Sequence, residues 1–489
     1  MATCPTVPLH VYADELETSP SFRGNTFEVL KCSTLKPIPP DRSHKRSSRE
    51  AEFRGGHCLR DGSATTLFTE YDPVLKKTIT LRHAVALYVS SVLGSGVLVL
   101  PGLAAQIAGP ASLIAWFVLS LASYPFAYTF ATLSARRPES GGIYSFAKES
   151  FGRPVAVVAG WLFAFWHITG APAATLIAAS YLAYAFPMSR LDVFLVAGAI
   201  IVLAFIINYR GIVLSNKVQV AVVVSIVLLL IAAVALSSSS VTFHNFSPFF
   251  PNGILSVGTA AALIFWSFLG YENVSNVAEE FENPKRDFQR SIMVSVVLIS
   301  GLYFAVAFVT VGTLAYKSGG SVAPFAAIFA NVLGSHGAAG TTVLALVIIF
   351  ATVNAYTAGM SRVILAVARD GGMPKGLEHI DPTSGAPTRS LTMLSGLAVV
   401  MLAIDYFFDV DLQTALLIPS GAAVLIYIIG SSAGIRLLKE HGFKRLLPRA
   451  SLMMSIIVLP FVGILALGAI FTGLIALAYV RRTTSGHKN

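Results

Sequence analysis

Apolar runs of 17 or more residues recur from Ile79 almost to the C-terminus, and such runs match the hydrocarbon thickness of a bilayer. A soluble core could not use so much apolar surface. Hydrophobic residues make up 55% of the chain and charged ones only 12%, against roughly a quarter in a soluble domain. The mean hydropathy of +0.70 agrees. The chain reads as an all-α polytopic membrane protein.

Spans are expected at about 80–107, 110–135, 154–185, 191–208, 212–236, 254–280, 288–315, 338–368, 389–408 and 412–435. A last apolar stretch, Ser451 to Val480, is too long for one span and tight for two. Charge resolves it. With the N-terminus cytoplasmic, the even-numbered loops collect the cations, from Arg136, Arg137, Lys148 and Arg153 through Arg445 and Arg449. The odd-numbered loops carry only Arg190 and Lys317, and the ninth holds Asp405, Asp409 and Asp411. The tail "RRTTSGHKN" is basic too, so the chain must cross back, as two short helices turning near Gly468 would allow. The expectation is about twelve spans in a plasma membrane, with both termini cytoplasmic. Topology then accounts for the net charge of +10, and nucleic acid is not implied.

Residues 1–72 differ in kind: polar, basic, rich in Pro, Ser and Gly, and without sustained periodicity. They are expected to be a disordered cytoplasmic tail, with contact to anionic headgroups as the alternative. No cleavable signal peptide is recognised, so the first span is expected to direct insertion. The three cysteines, Cys4, Cys32 and Cys58, precede that span, match no zinc or disulfide spacing and read as incidental.

The first span is interrupted. "SSVLGSGVLVLP" places Gly94, Ser95 and Gly96 mid-membrane, and each glycine costs about 1 kcal/mol relative to alanine in a helix. A break at that depth is tolerated only where freed backbone groups face protein or a water-filled cavity. A second break in a corresponding place would signal a repeat. Five spans on, "FWSFLGYENVSNVAEEFENPKRDF" supplies it, with Gly270 after eighteen largely apolar residues and Glu272 two positions later. Intramembrane carboxylates are rare and usually functional, although Glu272 could also cap a half-helix. Half-helix N-termini suit a carboxylate and the preceding C-terminal carbonyls an ammonium, so two breaks could hold a zwitterionic α-amino acid.

"VLGSGVLVLP", "FWSFLGYE" and "ENPKRDFQRSI" together resemble the amino acid–polyamine–organocation transporter superfamily. Its LeuT-type fold is a five-plus-five inverted repeat with helices 1 and 6 broken. The resemblance covers about residues 75–480. "GWLF" at 160–163 and Pro172 favour the branch of bacterial methionine and branched-chain amino acid exporters. It implies a first repeat in 73–236, a second in 254–437 and a C-terminal hairpin in 449–482. By position, Leu93, Gly94, Ser95, Gly96 and Val97 would hold the substrate carboxylate and part of its ammonium. Trp266, Ser267 and Leu269 would offer carbonyls to the ammonium, with the Trp266 ring shielding the substrate or serving only in packing. Tyr356 fits an aromatic gate or a packing tyrosine, with Asn354 half a turn away.

Glu272 matches an acidic residue associated with proton coupling in the related antiporter branch, and His167, the only histidine well inside a span, is a second candidate for pH dependence. Sodium coupling stays open: Lys217 sits only at the cytoplasmic start of the fifth span, so a lysine in place of sodium is not expected. "HITGAPAATL" has Ala171 and Pro172 where the arginine antiporters carry an asparagine, which argues for a smaller or apolar substrate side chain. Pro419 and Ser420 lie midway in the tenth span and could line the pathway or relieve packing. "RRPESGGIYSFAKESFG" suggests a cytoplasmic segment at the inner mouth, with Arg136, Arg137 and Glu139 as gate charges or simple anchors.

The expectation is a carrier of neutral, methionine- or leucine-type amino acids working by alternating access, as monomer or homodimer, without cofactor or metal. A cationic amino acid exchanger is the alternative. A membrane enzyme is disfavoured, because no His-Glu-x-x-His pair, phosphate loop or redox cysteine pair appears. A channel would show filter loops or charge rings. A non-transporting amino acid sensor would keep the same fold and differ in lacking flux.

Overall fold

The computed structural model describes residues 81–136, 142–212, 216–271, 284–317 and 319–485. The N-terminal tail, Arg137, Glu139, Glu272 and the "ENPKRD" start lie outside these. All regular elements among the described residues are helical. Among the described residues nine stretches are long and apolar enough to cross a membrane, and two of them, Gly96–Ser134 and Gly442–Thr483, hold two α-helices each.

The first span is α1 (Leu81–Val92) followed by α2 (Gly96–Ala108), interrupted at the glycines. Then come α3 (Ser112–Arg136), the short α4 (Ile143–Phe151), α5 (Arg153–Ala185), α6 (Arg190–Tyr209) and α7 (Asn216–Ser237). The second half begins with α8 (Leu255–Ile264), which tightens into a 3-10 turn at Phe265–Phe268 and stops. It continues through α9 (Pro284–Gly312), α10 (Pro324–Arg369), α11 (Thr388–Phe407) and α12 (Leu412–Leu437). Inside α10, Gly334 has φ of 65° and ψ of −154°, a conformation that suits only glycine, so a short segment precedes the spanning one. That segment stands in the second half where α4 stands in the first.

The packing follows the exchange of halves. Helix α3 lies on α9, α5 on α10 and α6 on α11, each on its counterpart. Helix α5 also packs on α12, as α10 does on α7. Buried polar pairs pin the central helices. The Tyr181 hydroxyl on α5 donates to Leu98 O in α2 at 2.6 Å, and Thr342 on α10 donates back to Tyr181 O at 3.0 Å. Asn208 on α6 donates to Asn354 Oδ1 on α10 at 2.8 Å.

The C-terminal stretch forms two helices as expected, α13 (Leu447–Val462) and α14 (Ala466–Ser485), but they turn at Gly463, five residues earlier than Gly468. Gly463 takes the positive φ of 67° that the turn needs. Gly468 instead lies inside α14, where a Cβ would stand 3.0 Å from the Phe165 ring of α5. Helix α13 packs on α3, α8 and α12, and α14 on α5 and α12.

At the end of α10, Arg153 donates to Asp370 O at 3.1 Å and Gly371 O at 2.9 Å, and Trp161 to Gly372 O at 2.9 Å. From α4, Tyr144 and Lys148 each reach Asp370 Oδ2 at 2.6 Å. Thus α4 is fastened to α5 and α10, while Arg136 pairs with Glu440 beyond α12. Burial works against the Asp370 carboxylate. Hydrogen bonds from Lys148 and Tyr144, with the charges of Lys148 and Arg153, outweigh it and hold the group below its ordinary value of 3.8. The stabilisation is therefore present above the unfolded pKa of about 4 and lost as pH falls through the lower folded value. With Lys148 and Asp370 side chains 47% and 31% exposed, solvent screening limits it to about 1 kcal/mol or less. Asp370→Asn is expected to lower thermal stability at neutral pH, with the gap to the wild type closing in acid. A gap that persists unchanged in acid would mean that the charge contributes nothing.

Candidate functional site

The two breaks face each other. At the first, Leu93 N–H still bonds Val89 O at 2.8 Å, and Gly94 N–H turns back to Val92 O at 2.8 Å, closing α1. Helix α2 restarts behind Ser95, whose side chain makes no capping hydrogen bond, and Leu98 N–H reaches Ser95 O at 3.2 Å. The amides of Gly96 and Val97 are first-turn donors that a helix cannot satisfy internally. At the second break the chain leaves the 3-10 turn through extended Leu269 and then Gly270, at φ of 120°. Tyr303 of α9 bridges the two: its buried hydroxyl lies 2.9 Å from Val92 O and 3.0 Å from Ser267 O.

Between the breaks, α5 and α10 enclose a cavity. Gly94, Ser95 and Gly96 line it on one side, and Trp266 and Leu269 on another. Tyr356 and His167 line it from α10 and α5. His167 is buried, its Nε2 3.4 Å from Thr357 Oγ1. These seven sequence-derived candidates converge. Leu93, Val97 and Ser267 flank the breaks but are buried in packing rather than along the wall. Asn354 points to Asn208 instead of into the cavity. Glu272 follows Tyr271 directly and lies outside the described residues.

On α5 sequence reasoning named His167 and Ala171 but missed the rest of the wall. Trp166, Gly170 and Ala174, four residues apart, present one helical face beside His167 and Ala171. That periodicity was visible in "WHITGAPAA", where a large ring precedes small residues at helical spacing. Trp166 stands edge-on to Tyr356 at 5.4 Å and to Trp266 at 6.2 Å between ring centroids, an aromatic wall that joins three helices. Among the described residues no Asp, Glu, Lys or Arg lines the cavity, and no group of His, Cys, Asp and Glu could hold a metal. The site can therefore offer backbone dipoles at the breaks and apolar or aromatic surface elsewhere.

A family model described as amino acid permease matches residues 79–487. The chain is 33% identical over 418 residues to YecA of Bacillus subtilis, an uncharacterized amino acid permease, covering 85% of this chain and 98% of that protein. It is 30% identical over 398 residues to the L-methionine/branched-chain amino acid exporter YjeH of Escherichia coli, covering 80% and 92%. The branched-chain amino acid permease BcaP of B. subtilis is 27% identical over 342 residues, covering 65% and 73%. With a multi-pass helical membrane fold interrupted at two facing points and a family match across nearly all of it, the chain belongs to the amino acid permease family, within the amino acid–polyamine–organocation superfamily.

Proposed function

We propose that the protein carries neutral amino acids with apolar side chains, of the methionine or leucine type, across the plasma membrane by alternating access. The observation that carries this reading is a cavity without charged side chains among the described residues, bracketed by two helix breaks. A zwitterion needs one partner for each of its charges, and backbone amides and carbonyls at the breaks can supply both. A cationic side chain would need a further acidic partner, and among the described residues none lines the wall. The aromatic and small side chains of α5 and α10 leave apolar room instead. YjeH, named as an exporter, supports outward transport from a chain with cytoplasmic termini. Glu272, two positions after Gly270 in the sequence, is the proposed proton carrier, with His167 in the cavity wall as the second candidate.

Counterflow tests the reading. Proteoliposomes loaded with unlabelled methionine or leucine, in sodium-free buffer, are expected to accumulate the labelled form at a pH-dependent rate. Glu272→Gln is expected to remove that dependence. Intact protein that exchanges no neutral amino acid would sink the substrate assignment and favour a sensor or a cationic exchanger. A rate that rises only with sodium would move the coupling from proton to sodium.

A further inference from the structure

Two glycines on different helices clamp one indole. A Cβ built on Gly96, at the start of α2, would stand 2.7 Å from Trp266 Cδ1 and 2.8 Å from Ser267 Oγ. A Cβ built on Gly170, in the middle of α5, would stand 2.9 Å from Trp266 Cη2 and 3.4 Å from Cζ3. These are opposite ends of the same ring, one on the five-membered side and one on the far edge of the six-membered side. The half-buried indole therefore reaches from the first break to α5 and forms a cavity wall along its length, and it can do so only because neither contact position carries a side chain.

We propose that Gly170 is a specificity-determining residue: by letting the Trp266 ring lie against α5, it sets how large a substrate side chain the cavity accepts. The proposal rests on the amino acid carrier reading above. At its other end the ring lies against Gly96. Behind Gly170, the Cβ of Pro419 in α12 already lies 3.6 Å from the position a methyl would take. A methyl at 170 therefore displaces the indole along the cavity and itself occupies cavity wall. Both effects shorten the room for a long side chain.

The test is a pair of measurements on Gly170→Ala, Trp266→Phe and the double variant, with Gly301→Ala as control because a Cβ there meets nothing within 4 Å. In counterflow, Gly170→Ala is expected to lower the rate ratio of leucine or methionine to alanine by about tenfold or more, the order that one methylene sets in an apolar pocket. Trp266→Phe lacks the ring edge that meets Gly170, so the double variant is expected to recover the ratio. Trp266→Phe alone is expected to broaden acceptance towards bulkier side chains, a readout that survives if Gly170→Ala does not fold.

The second measurement is thermal stability in detergent without substrate. Gly170→Ala is expected to lose stability in the wild-type background and little in the Trp266→Phe background, whatever the protein carries. Coupled stabilities with an unmoved side-chain ratio would overturn the specificity role and leave the carrier reading intact. Coupled stabilities in a protein that exchanges no neutral amino acid would locate the failure in the carrier reading instead. Uncoupled stabilities would overturn the clamp itself.

Discussion

Gly96→Val is expected to abolish amino acid exchange, to below about 1% of the wild-type rate, a loss of the size that misplacing a reacting or bound group by about 1 Å produces. The first added carbon alone would stand 2.7 Å from Trp266 Cδ1, 2.8 Å from Ser267 Oγ and 3.2 Å from Leu100 Cδ1. The indole can move only by shifting its second contact, because its other edge lies against Gly170. Overpacking of this kind costs about 1–3 kcal/mol, and here the strain falls on both breaks at once. The γ-methyls would also crowd the first-turn amides of α2, where a substrate carboxylate would bind. Gly94 is the internal comparison: a Cβ there meets only Thr352 Cγ2, at an ordinary 3.5 Å. Gly94→Ala is therefore expected to keep most of its stability and part of its exchange. Initial rates per reconstituted protein, with thermal stability measured alongside, separate the two. Equal exchange by both variants would mean that the space around Gly96 is not part of the transport site.

That contrast marks how far the chain could be read without coordinates. The spans follow from bilayer thickness, and the breaks from glycines that no uninterrupted helix would keep. The two breaks together with the match of motifs led to the fold, because backbone freed at membrane depth has few uses. Side-chain direction was harder. Asn354 and Tyr356 both looked placed for the site, yet two helical steps turn them about 200° apart. Tyr356 meets the cavity, while Asn354 spends its amide on α6. The Trp266 clamp was not legible at all, because Gly96 and Gly170 are 74 positions apart (170 − 96) and only packing brings them to one ring. The turn at Gly463 was missed for a similar reason. Gly463 and Gly468 are equivalent in sequence terms, and only packing shows that Gly468 stays helical against the Phe165 ring of α5.

Tyr303→Phe is expected to lower exchange by about tenfold to a hundredfold while the protein stays folded. Tyr303 is fully buried, and its ring is held edge-on by Trp116 and Phe268, each with a centroid 5.4 Å away, so phenylalanine can occupy the same place. What disappears is one oxygen shared by the last residue of α1 and by the second break. A hydroxyl has one proton, so it donates to only one of the two carbonyls at a time. Exchanging that proton between Val92 O and Ser267 O keeps both carbonyls near a single donor and ties the two interrupted helices together. Val92 O keeps the Gly94 amide, so removing the hydroxyl leaves the buried Ser267 carbonyl short of a donor, at about 1–3 kcal/mol, where each 1.4 kcal/mol is a factor of ten. Tyr181 provides the comparison, because its hydroxyl donates at 2.6 Å to Leu98 O and fastens α5 to α2 rather than one break to the other. Tyr181→Phe should thus lower thermal stability about as much but exchange much less. If both variants lost exchange in proportion to stability, the Tyr303 hydroxyl would be a packing bond like any other. If only Tyr303→Phe lost exchange out of proportion, the two breaks would have to move or bind as one unit, because that hydroxyl contacts no cavity wall except through them.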